Sequence, residues 1–409
     1  MFSKSLLSSL LLALFVAANP LPGLEPFVKL PMARNVNSNG IFNILKSDQA
    51  RARQLVARAT GNFGSQCPSV DGHGESITNK AMIYTASVGI GSPPSTYDLI
   101  IDTGSSNTWV GATKSYNQTT TSVLTGDSVS VSYGSGSFTG TEYFDDVKLG
   151  NFVVKNQSVG VAASSSGFTG FDGILGIGPT GLTIGTLFPH TTTSIPTVTE
   201  NAFSQKKISA NMLGVSFEPA TKRSVQNGEL TWGGIDSTKY TGTLHYVPIT
   251  KTSPASFYWG IDQSITYGTE SILSSSAGIV DTGTTLVLIA SDAFDRYKKA
   301  TGAVSDSTTS LLKITPSQYS ALKPLNFNIN GQTYTLTPNA QIWPRSLNSA
   351  IGGAADSIYL VVANLGTNSG QGLDFINGYA FLERHYSVFD TTNKRVGLAT
   401  TSFTTATSN

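Results

Sequence analysis

Charged side chains are scarce in this sequence. Asp, Glu, Lys and Arg make up 12% of the 409 residues, against about 25% in an average globular protein. The formal net charge is +1, which gives no electrostatic basis for binding nucleic acid, so we expect no such partner. Glycine, serine and threonine replace the missing charges, and this composition favours short strands and turns over long helices.

Long hydrophobic runs are absent except at the N-terminus. Lys4 is followed by the apolar stretch LLSSLLLALFVAA, which ends in small residues at Val16 and Ala18. This pattern predicts a secretory signal peptide at residues 1–18, cut after Ala18. The stretch is too short to span a bilayer. We therefore expect a secreted, extracellular protein that does not associate with membranes.

Cysteine is almost missing, with Cys67 as the single example. No disulfide can form within the chain, so packing alone must hold the fold together. A free thiol is a liability on the surface of a mature secreted protein. We therefore expect Cys67 to lie in a segment that is removed.

Several functional motifs are also missing. The sequence has no His-Glu-x-x-His zinc motif, no Gly-x-Ser-x-Gly hydrolase elbow and no dinucleotide loop before a helix. We expect neither a metal ion nor another cofactor. The four histidines are scattered and are expected to be surface or ordinary packing residues: His73, His190, His245 and His385.

The region that follows the signal peptide is unusually basic. Residues 19–71 contain six basic and three acidic residues, and the remaining 338 carry 19 basic and 22 acidic ones. The stretch IFNILKSDQARARQLVARA has helical spacing of apolar residues at Ile41, Ile44, Leu45, Leu55 and Val56, and a Gly/Ser-rich linker follows it. A basic, detachable helix before a mildly acidic body predicts an inhibitory propeptide at 19–71. The alternative is an ordinary amphipathic N-terminal arm.

Two copies of one short pattern stand out in the body. IIDTGSSNTWVGA ends a buried apolar strand with Asp102, and AGIVDTGTTLVLIA does the same with Asp281. Each copy is followed by an apolar run that contains glycine, FDGILGIG after the first and FINGYAFL after the second. A single such aspartate could cap a turn, but chance does not readily repeat the whole arrangement.

Paired aspartates of this kind suit general acid–base catalysis. Two carboxyls about 3 Å apart cannot both ionise readily, so they share a proton. The ionised carboxyl draws a proton from a water, and the protonated one donates to the carbonyl under attack. The adjacent turn residues are candidates to hold the carboxyls and lock the turns together: Thr103, Gly104 and Ser105, and Thr282, Gly283 and Thr284.

These motifs, with VSYGSGSFTGTEY and FINGYAFLERHYSVFDTTNKRVGLA, resemble those of pepsin-type aspartic endopeptidases, in particular enzymes secreted by fungi. The resemblance covers the chain from about Lys80 to Asn409 and implies an all-β, bilobal fold with pseudo-twofold related lobes and a central cleft. We expect an N-terminal lobe at 72–247 and a C-terminal lobe at 248–409. The implied protein is a monomer that cleaves internal bonds of proteins and peptides in acid and is inhibited by its own propeptide.

The glycine-rich stretch 131–140 is by itself a plain β-hairpin pattern. The resemblance implies that it is the flap that closes over substrate, with Tyr133, Gly134, Ser135 and Gly136 at the tip. Tyr133 is then expected to form a hydrogen bond with the indole of Trp109. Further positions match substrate-contacting residues of the family: Ile100, Phe171, Ile174 and Tyr258.

Specificity and modification can also be predicted. Some fungal members of the family accept Lys before the scissile bond, and this trait is tied to an acidic flap residue. Ser135 stands at that position here, so we expect a preference for large hydrophobic residues. Asn117 and Asn156 begin N-glycosylation sequons. The polar tail TTSFTTATSN is expected to be a flexible end, with O-linked sugar as the alternative. Asn377 departs from pepsin, which has an apolar residue there, and this questions how dry the second aspartate loop is.

Two other functions remain open from the sequence. A catalytically inactive binding or inhibitor protein on the same fold would be expected to lose an aspartate, its glycine or the flap tyrosine, and all are intact here. A secreted carbohydrate-binding module would predict neither the paired aspartate frames nor a propeptide.

Overall fold

The structure is a computed structural model that describes residues 27–36, 43–61 and 82–409. The signal peptide, Ile41, Cys67 and most of the linker lie outside the described residues. The described residues form 24 strands and five α-helices, which confirms the all-β prediction. Among them, no helix is long and apolar enough to cross a membrane.

The strands of the first part of the chain are β1 (Val28–Val36), β2 (Met82–Ile90), β3 (Ser95–Asp102), β4 (Thr108–Val110), β5 (Val123–Ser132), β6 (Ser137–Leu149), β7 (Phe152–Ser166), β8 (Gly173–Gly176), β9 (Leu187–Phe188), β10 (Met212–Ser216), β11 (Ser224–Trp232) and β12 (Thr241–Pro248).

The strands of the second part are β13 (Gly260–Tyr267), β14 (Glu270–Val280), β15 (Val287–Ile289), β16 (Val304–Ser305), β17 (Leu312–Ile314), β18 (Leu325–Ile329), β19 (Gln332–Leu336), β20 (Ile358–Tyr359), β21 (Val362–Asn364), β22 (Phe375–Asn377), β23 (His385–Asp390) and β24 (Arg395–Thr400).

The α-helices are α1 (Ile44–Ala59), α2 (Val198–Ser204), α3 (Ser291–Thr301), α4 (Pro316–Ser320) and α5 (Tyr379–Leu382). Short 3-10 helices span Thr180–Thr183, Ser237–Lys239, Ala255–Phe257, Asn339–Gln341 and Arg345–Ile351.

Two sheets repeat one arrangement around the two aspartates. The 14-stranded sheet contains the order β2-β3-β8-β4, and the seven-stranded sheet contains β13-β14-β22-β15. In each, the strand that leads to the aspartate pairs in parallel with a later strand, which is β8 in the first part and β22 in the second. The repeat seen in the sequence is therefore a structural repeat, and the fold is two-lobed.

The larger sheet also joins distant parts of the chain. Strands β23 and β24, near the C-terminus, enter it beside β10, and β12 pairs with β24. The predicted division near residue 247 therefore falls at the end of β12, which is the outermost strand on that side of the sheet. Strands β23 and β24, which follow the division in the chain, still belong to this sheet.

The basic N-terminal segment contains a strand that its sequence pattern does not predict. Strand β1 lies between β11 and β2 and pairs antiparallel with both. Leu30 and Met32 are buried in the main core. The segment thus contributes a strand to the large sheet and also forms a helix.

Helix α1 forms where the apolar spacing predicts a helix. Asn43 caps its N-terminus by accepting a hydrogen bond from the Lys46 backbone N–H at 2.9 Å, as N-cap residues do. Ile44, Ala52 and Leu55 are buried against apolar residues of the C-terminal lobe. This face therefore fixes the helix on the body through hydrophobic contact.

The C-terminal tail corrects the expectation of a flexible end. Arg384 Nη1 donates to the carbonyls of Phe403 at 3.2 Å and Ala406 at 2.7 Å. The Asn409 side chain donates to the Asn339 carbonyl at 3.1 Å. Hydrogen bonds to the buried Arg384 therefore order a tail whose composition is polar.

Candidate active site

Asp102 ends β3 and is fully buried. Its Oδ1 accepts from the Gly104 N–H at 3.0 Å, and its Oδ2 accepts from the Ser105 hydroxyl at 2.6 Å. Both contacts come from the turn that follows the strand. The small residues after the aspartate therefore orient its carboxylate.

Asp281 directly follows β14 and is bound in the same way. Oδ1 accepts from the Gly283 N–H at 2.9 Å, and Oδ2 accepts from the Thr284 hydroxyl at 2.6 Å. Each carboxylate is thus held by one backbone N–H and one hydroxyl from matching positions.

Thr103 and Thr282 connect the two turns. The Thr103 N–H donates to Thr282 Oγ1 at 3.0 Å, and the Thr282 N–H donates to Thr103 Oγ1 at 2.9 Å. The Thr282 hydroxyl donates in turn to the Ile101 carbonyl at 3.0 Å. These reciprocal contacts relate the turns by a pseudo-twofold axis and fix the distance between the aspartates.

The glycines after the two Asp-Thr pairs are required by the close approach of the turns. A Cβ on Gly104 would lie 2.7 Å from Asp281 Oδ1, and a Cβ on Gly283 would lie 2.5 Å from Asp102 Oδ1. Real side-chain atoms do not come so close. Each glycine therefore lets the opposite carboxylate reach the centre of the site.

Arg51 of α1 occupies this centre. Its Nη2 donates to Asp102 Oδ1 at 2.5 Å and to Asp281 Oδ1 at 2.9 Å, and its Nε donates to Asp281 Oδ2 at 2.7 Å. Burial lowers the pKa of Arg51, but the two aspartates raise it more, so its pKa lies well above the ordinary value. One guanidinium thus pairs with both buried carboxylates.

This contact is not predicted from the sequence, in which Arg51 is one of the six basic residues of the segment 19–71. The available signal was the position of an arginine on the same helical face as Ile44, Ala52 and Leu55, where a charged side chain needs a buried partner.

Helix α1 makes further polar contacts with the second lobe that the sequence does not predict. Asp48 Oδ2 accepts from the backbone N–H groups of Thr285 at 3.1 Å and Leu286 at 2.9 Å. The hydroxyl of Tyr258, predicted to contact substrate, donates to the Leu55 carbonyl at 2.7 Å. In this structure Tyr258 therefore faces the helix.

The predicted flap is a hairpin formed by β5 and β6. The Tyr133 N–H donates to the Gly136 carbonyl at 2.8 Å and closes the tip, where Ser135 is half-buried. Gly134 has φ +77°, and a Cβ there would lie 2.9 Å from Arg51 Cα. The tip thus rests on the backbone of α1, and its glycine permits that approach.

The expected hydrogen bond between Tyr133 and Trp109 is not formed. The ring centroids are 6.4 Å apart, and neither the Tyr133 hydroxyl nor Trp109 Nε1 has a hydrogen-bond partner among the described residues. Burial raises the pKa of Tyr133, and the nearby Asp102 carboxyl raises it further. Phe138 stacks on Trp109 at 4.2 Å, so the indole is fixed by ring packing instead.

The remaining predicted substrate-contacting residues fall into two groups. One apolar cluster contains Tyr133, Trp109 and three of the predicted residues, which are Ile100, Phe171 and Ile174. Tyr258 belongs to another cluster, together with Leu55 of α1. The structure therefore brings the first group together beside the flap and places Tyr258 across the helix.

The residues predicted for modification lie on the surface. Asn117 is exposed in an irregular segment, and Asn156 is exposed in β7 with φ +54°.

Among the described histidines, His385 is buried and His190 contacts Asp127 at 2.7 Å. Within the described residues, no group of three or more His, Cys, Asp or Glu side chains is placed to hold a metal.

Residues 83–401 match the family of eukaryotic aspartyl proteases. Because this match covers most of the chain and includes both aspartate turns, the protein belongs to that family and is an aspartic endopeptidase.

Individual relatives agree with this assignment. The chain is 66% identical to polyporopepsin from Irpex lacteus over 333 residues, which cover 81% of this chain and 98% of that protein. It is 30% identical to pepsin A from Suncus murinus over 92% of this chain and 96% of that protein. The crystal structure of an aspartic proteinase from Irpex lacteus matches with a TM-score of 0.81 and 58% identity, covering 94% of this chain and all of that one.

Proposed function

We propose that the protein is a secreted acid endopeptidase in which Asp102 and Asp281 act as a general acid–base pair. The observation that carries this proposal is the matched binding of the two buried carboxylates by their own turns. In each aspartate, Oδ1 points to the space between the two carboxylates, which the Arg51 guanidinium occupies in this structure.

The mechanism follows from one proton shared between the two carboxyls. Once Arg51 leaves, the net charge of the buried site favours retention of a single proton by the pair. The ionised carboxylate accepts a proton from a water between Oδ1 atoms, and the protonated carboxyl donates to the substrate carbonyl. The Ser105 and Thr284 hydroxyls hold the outer oxygens, so the inner oxygens stay aimed at the water.

We further propose that residues 19–71 form an inhibitory propeptide. Support comes from Arg51 between the aspartates and from the flap tip resting on α1. Because α1 is helical, it presents no extended peptide bond to the carboxylates. A helix in the cleft therefore blocks substrate without offering a bond to cleave.

Acid release has a physical basis in the ion pairs of β1. Arg34 Nε lies 3.1 Å from Glu383 Oε1, and burial raises the pKa of Glu383 despite that arginine. Burial alone would raise the pKa of Asp236 too, but Lys29 and Thr238 lower it to about 2. The Arg34–Glu383 pair therefore fails first as pH falls, and the Lys29–Asp236 pair fails last.

Maturation and specificity complete the proposal. We expect the mature N-terminus between Gly61 and Lys80, largely outside the described residues, so that Cys67 is discarded. The 333-residue match to polyporopepsin supports this, since its length is close to that of the predicted body. The protein acts as a monomer on protein and peptide substrates with large hydrophobic residues at the cleavage site. Asn117 and Asn156 carry N-linked sugar.

One experiment tests the proposed function. Acid-treated precursor is incubated with denatured haemoglobin at pH ~4, with and without a statine-type inhibitor, because the shared proton is retained there. We expect inhibitor-sensitive cleavage, together with N-terminal sequencing that begins between residues 61 and 80. An intact haemoglobin band would instead support the inactive binding protein, and a chain still beginning near Asn19 would refute release of the propeptide.

A further inference from the structure

Two buried amide side chains, Asn377 on β22 and Gln263 on β13, form a pair that the proposed mechanism does not use. Asn377 Nδ2 donates to Gln263 Oε1 at 2.9 Å, and Gln263 Nε2 donates to Asn377 Oδ1 at 3.3 Å. Their side chains are 0% and 1% exposed. The polar residue that departs from pepsin is thus engaged in a reciprocal contact with a second amide.

The structural repeat shows which residue corresponds to Asn377 in the first lobe. Leu175 pairs with Ile101, just before Asp102, and with Thr108, six positions after Asp102. Asn377 pairs with Val280 and Val287, which stand at the same two positions relative to Asp281. The two residues are therefore equivalent, and the first lobe has leucine where the second has asparagine.

Gln263 has an apolar counterpart as well. Gln263 pairs with Ser276, five positions before Asp281. Val88 pairs with Tyr97, five positions before Asp102. Val88 and Leu175 are both fully buried in the main core. The chain therefore uses two apolar side chains in one lobe and an amide pair at the same places in the other.

The amide pair is coupled to Asp281 through the backbone. The Asp281 N–H donates to the Asn377 carbonyl at 3.1 Å. The pair also reaches across β14, the strand that leads to Asp281, because β14 lies between β13 and β22. Reciprocal amide bonds form at one register only, whereas apolar contacts tolerate small shifts.

We propose that Asn377 and Gln263 are positioning residues that set the register of β22 against β13 and so place the Asp281 carboxyl relative to Asp102. This inference rests on the proposed function, in which both aspartates act. Small displacements matter, since a misplacement of about 1 Å can lower an enzymatic rate by about a hundredfold.

The chain itself supplies the test variant. Gln263→Val with Asn377→Leu copies the first lobe, and replacing both partners by apolar groups is close to neutral for stability. We expect the matured variant to show about tenfold lower kcat on a peptide substrate, with KM unchanged. One limb of its pH profile should also shift, because proton sharing depends on the distance between the carboxyls. If this variant does not fold, Gln263→Val with Asn377→Val, closer to the original volume, replaces it.

Two controls separate positioning from stability. Gln263→Asn with Asn377→Gln exchanges the amides at constant total length and should restore kcat and the pH profile to near the wild-type values. Asn201→Ala removes another Asn–Gln contact, of 2.8 Å to Gln157, on α2. It should lower the melting temperature and leave both kinetic properties unchanged.

The proposal is overturned if the apolar pair keeps the wild-type kcat and pH profile. It is equally overturned if the exchanged pair loses as much activity as the apolar pair, since the amide contact would then not be what matters. Asp281→Asn is measured in parallel. Wild-type activity in that variant would instead show that the proposed function is wrong.

Discussion

Arg51 Nη2 donates to Asp102 Oδ1 at 2.5 Å, which joins a helix of the N-terminal segment to the aspartate that ends β3. The same nitrogen reaches Asp281 Oδ1. The guanidinium therefore bridges both carboxylates and occupies the position proposed for the attacking water. In the proposed mechanism, displacement of this one side chain opens the site.

Removing the charge of Arg51 should release the helix more readily. In the Arg51→Gln precursor, two carboxylates lose their buried partner, and breaking such a pair is strongly destabilising. We expect conversion to the mature form at pH ~5 to be about tenfold faster than in wild type, measured by gel electrophoresis. Arg53→Gln on the exposed face of α1 is the matched control and should convert at the wild-type rate. Equal rates for Arg51→Gln and wild type would mean that Arg51 does not hold the helix in place.

Glu142 should limit stability at neutral pH. It is buried in β6, where burial raises its pKa to about 7, with Ser158 lowering and Asp127 raising it. Since this pKa lies above the usual 4.5, the stability contributed by the protonated form is complete below pH 4.5 and is lost as pH rises through about 7.

The variant Glu142→Gln removes that loss. The free energy of unfolding in urea should fall between acid and neutral pH in wild type. We expect this fall to be smaller in Glu142→Gln, by about 3 kcal/mol. Glu270→Gln on the surface is the control and should behave as wild type does. The interpretation fails if wild type and Glu142→Gln lose the same stability over this range.

His385 should lower the stability of the fold in acid, whereas Glu142 lowers it at neutral pH. It lies between Phe381 and Tyr334, with ring centroids 4.5 and 5.4 Å away, and burial lowers its pKa from 6.5 to about 4. The unfolded chain therefore binds a proton at a pH where the folded one does not. Stability is lost as pH falls below 6.5, and the loss is complete below about 4.

Replacing His385 by leucine should reduce the pH dependence of unfolding between pH 7 and 4 by about 3 kcal/mol, whatever the change in absolute stability. Exposed His245→Leu serves as the control. Thermal unfolding followed at several pH values provides the measurement. An unchanged slope in the His385 variant would contradict a buried, neutral imidazole.

Ser135 should control cleavage after lysine. It lies at the half-buried flap tip between two glycines, close in sequence to Tyr133 of the apolar cluster. A hydroxyl cannot neutralise an ammonium group, and a desolvated, unpaired lysine is costly. We expect Ser135→Asp to improve cleavage after Lys selectively on a peptide library at pH ~4, with a gain of about tenfold. Ser130→Asp, on an exposed position of β5, should give no such gain. Efficient wild-type cleavage after Lys would remove the basis for this role.

The sequence predicts the elements that are encoded by contiguous residues. The repeated Asp-Thr-Gly turns predicted the twin strands and their carboxylates because strand, turn and small residues are contiguous. The 3.6-residue spacing from Ile44 to Leu55 predicted α1 for the same reason. The resemblance to a family then supplied the flap hairpin, which has its own glycine-rich signal.

Contacts between distant segments were missed. Strand β1 pairs with β11, nearly 200 residues later, and no local pattern indicates that partner. The polar tail gave no sign that Arg384 would bind its carbonyls. The position of Arg51 on an apolar face was visible in the sequence, but its two partners could be found only once the fold brought both lobes together.

The central claim is that Asp102 and Asp281 together carry out peptide hydrolysis. It is tested most directly by kcat/KM of Asp102→Asn and Asp281→Asn at pH ~4, where the pair shares its proton. Both precursors carry a site for an unrelated protease within residues 62–81, so that maturation does not depend on their own activity. The account predicts that each variant unfolds like wild type in urea and has no measurable activity, because an amide can neither accept nor donate the required proton. Activity within about tenfold of wild type in either variant would contradict it.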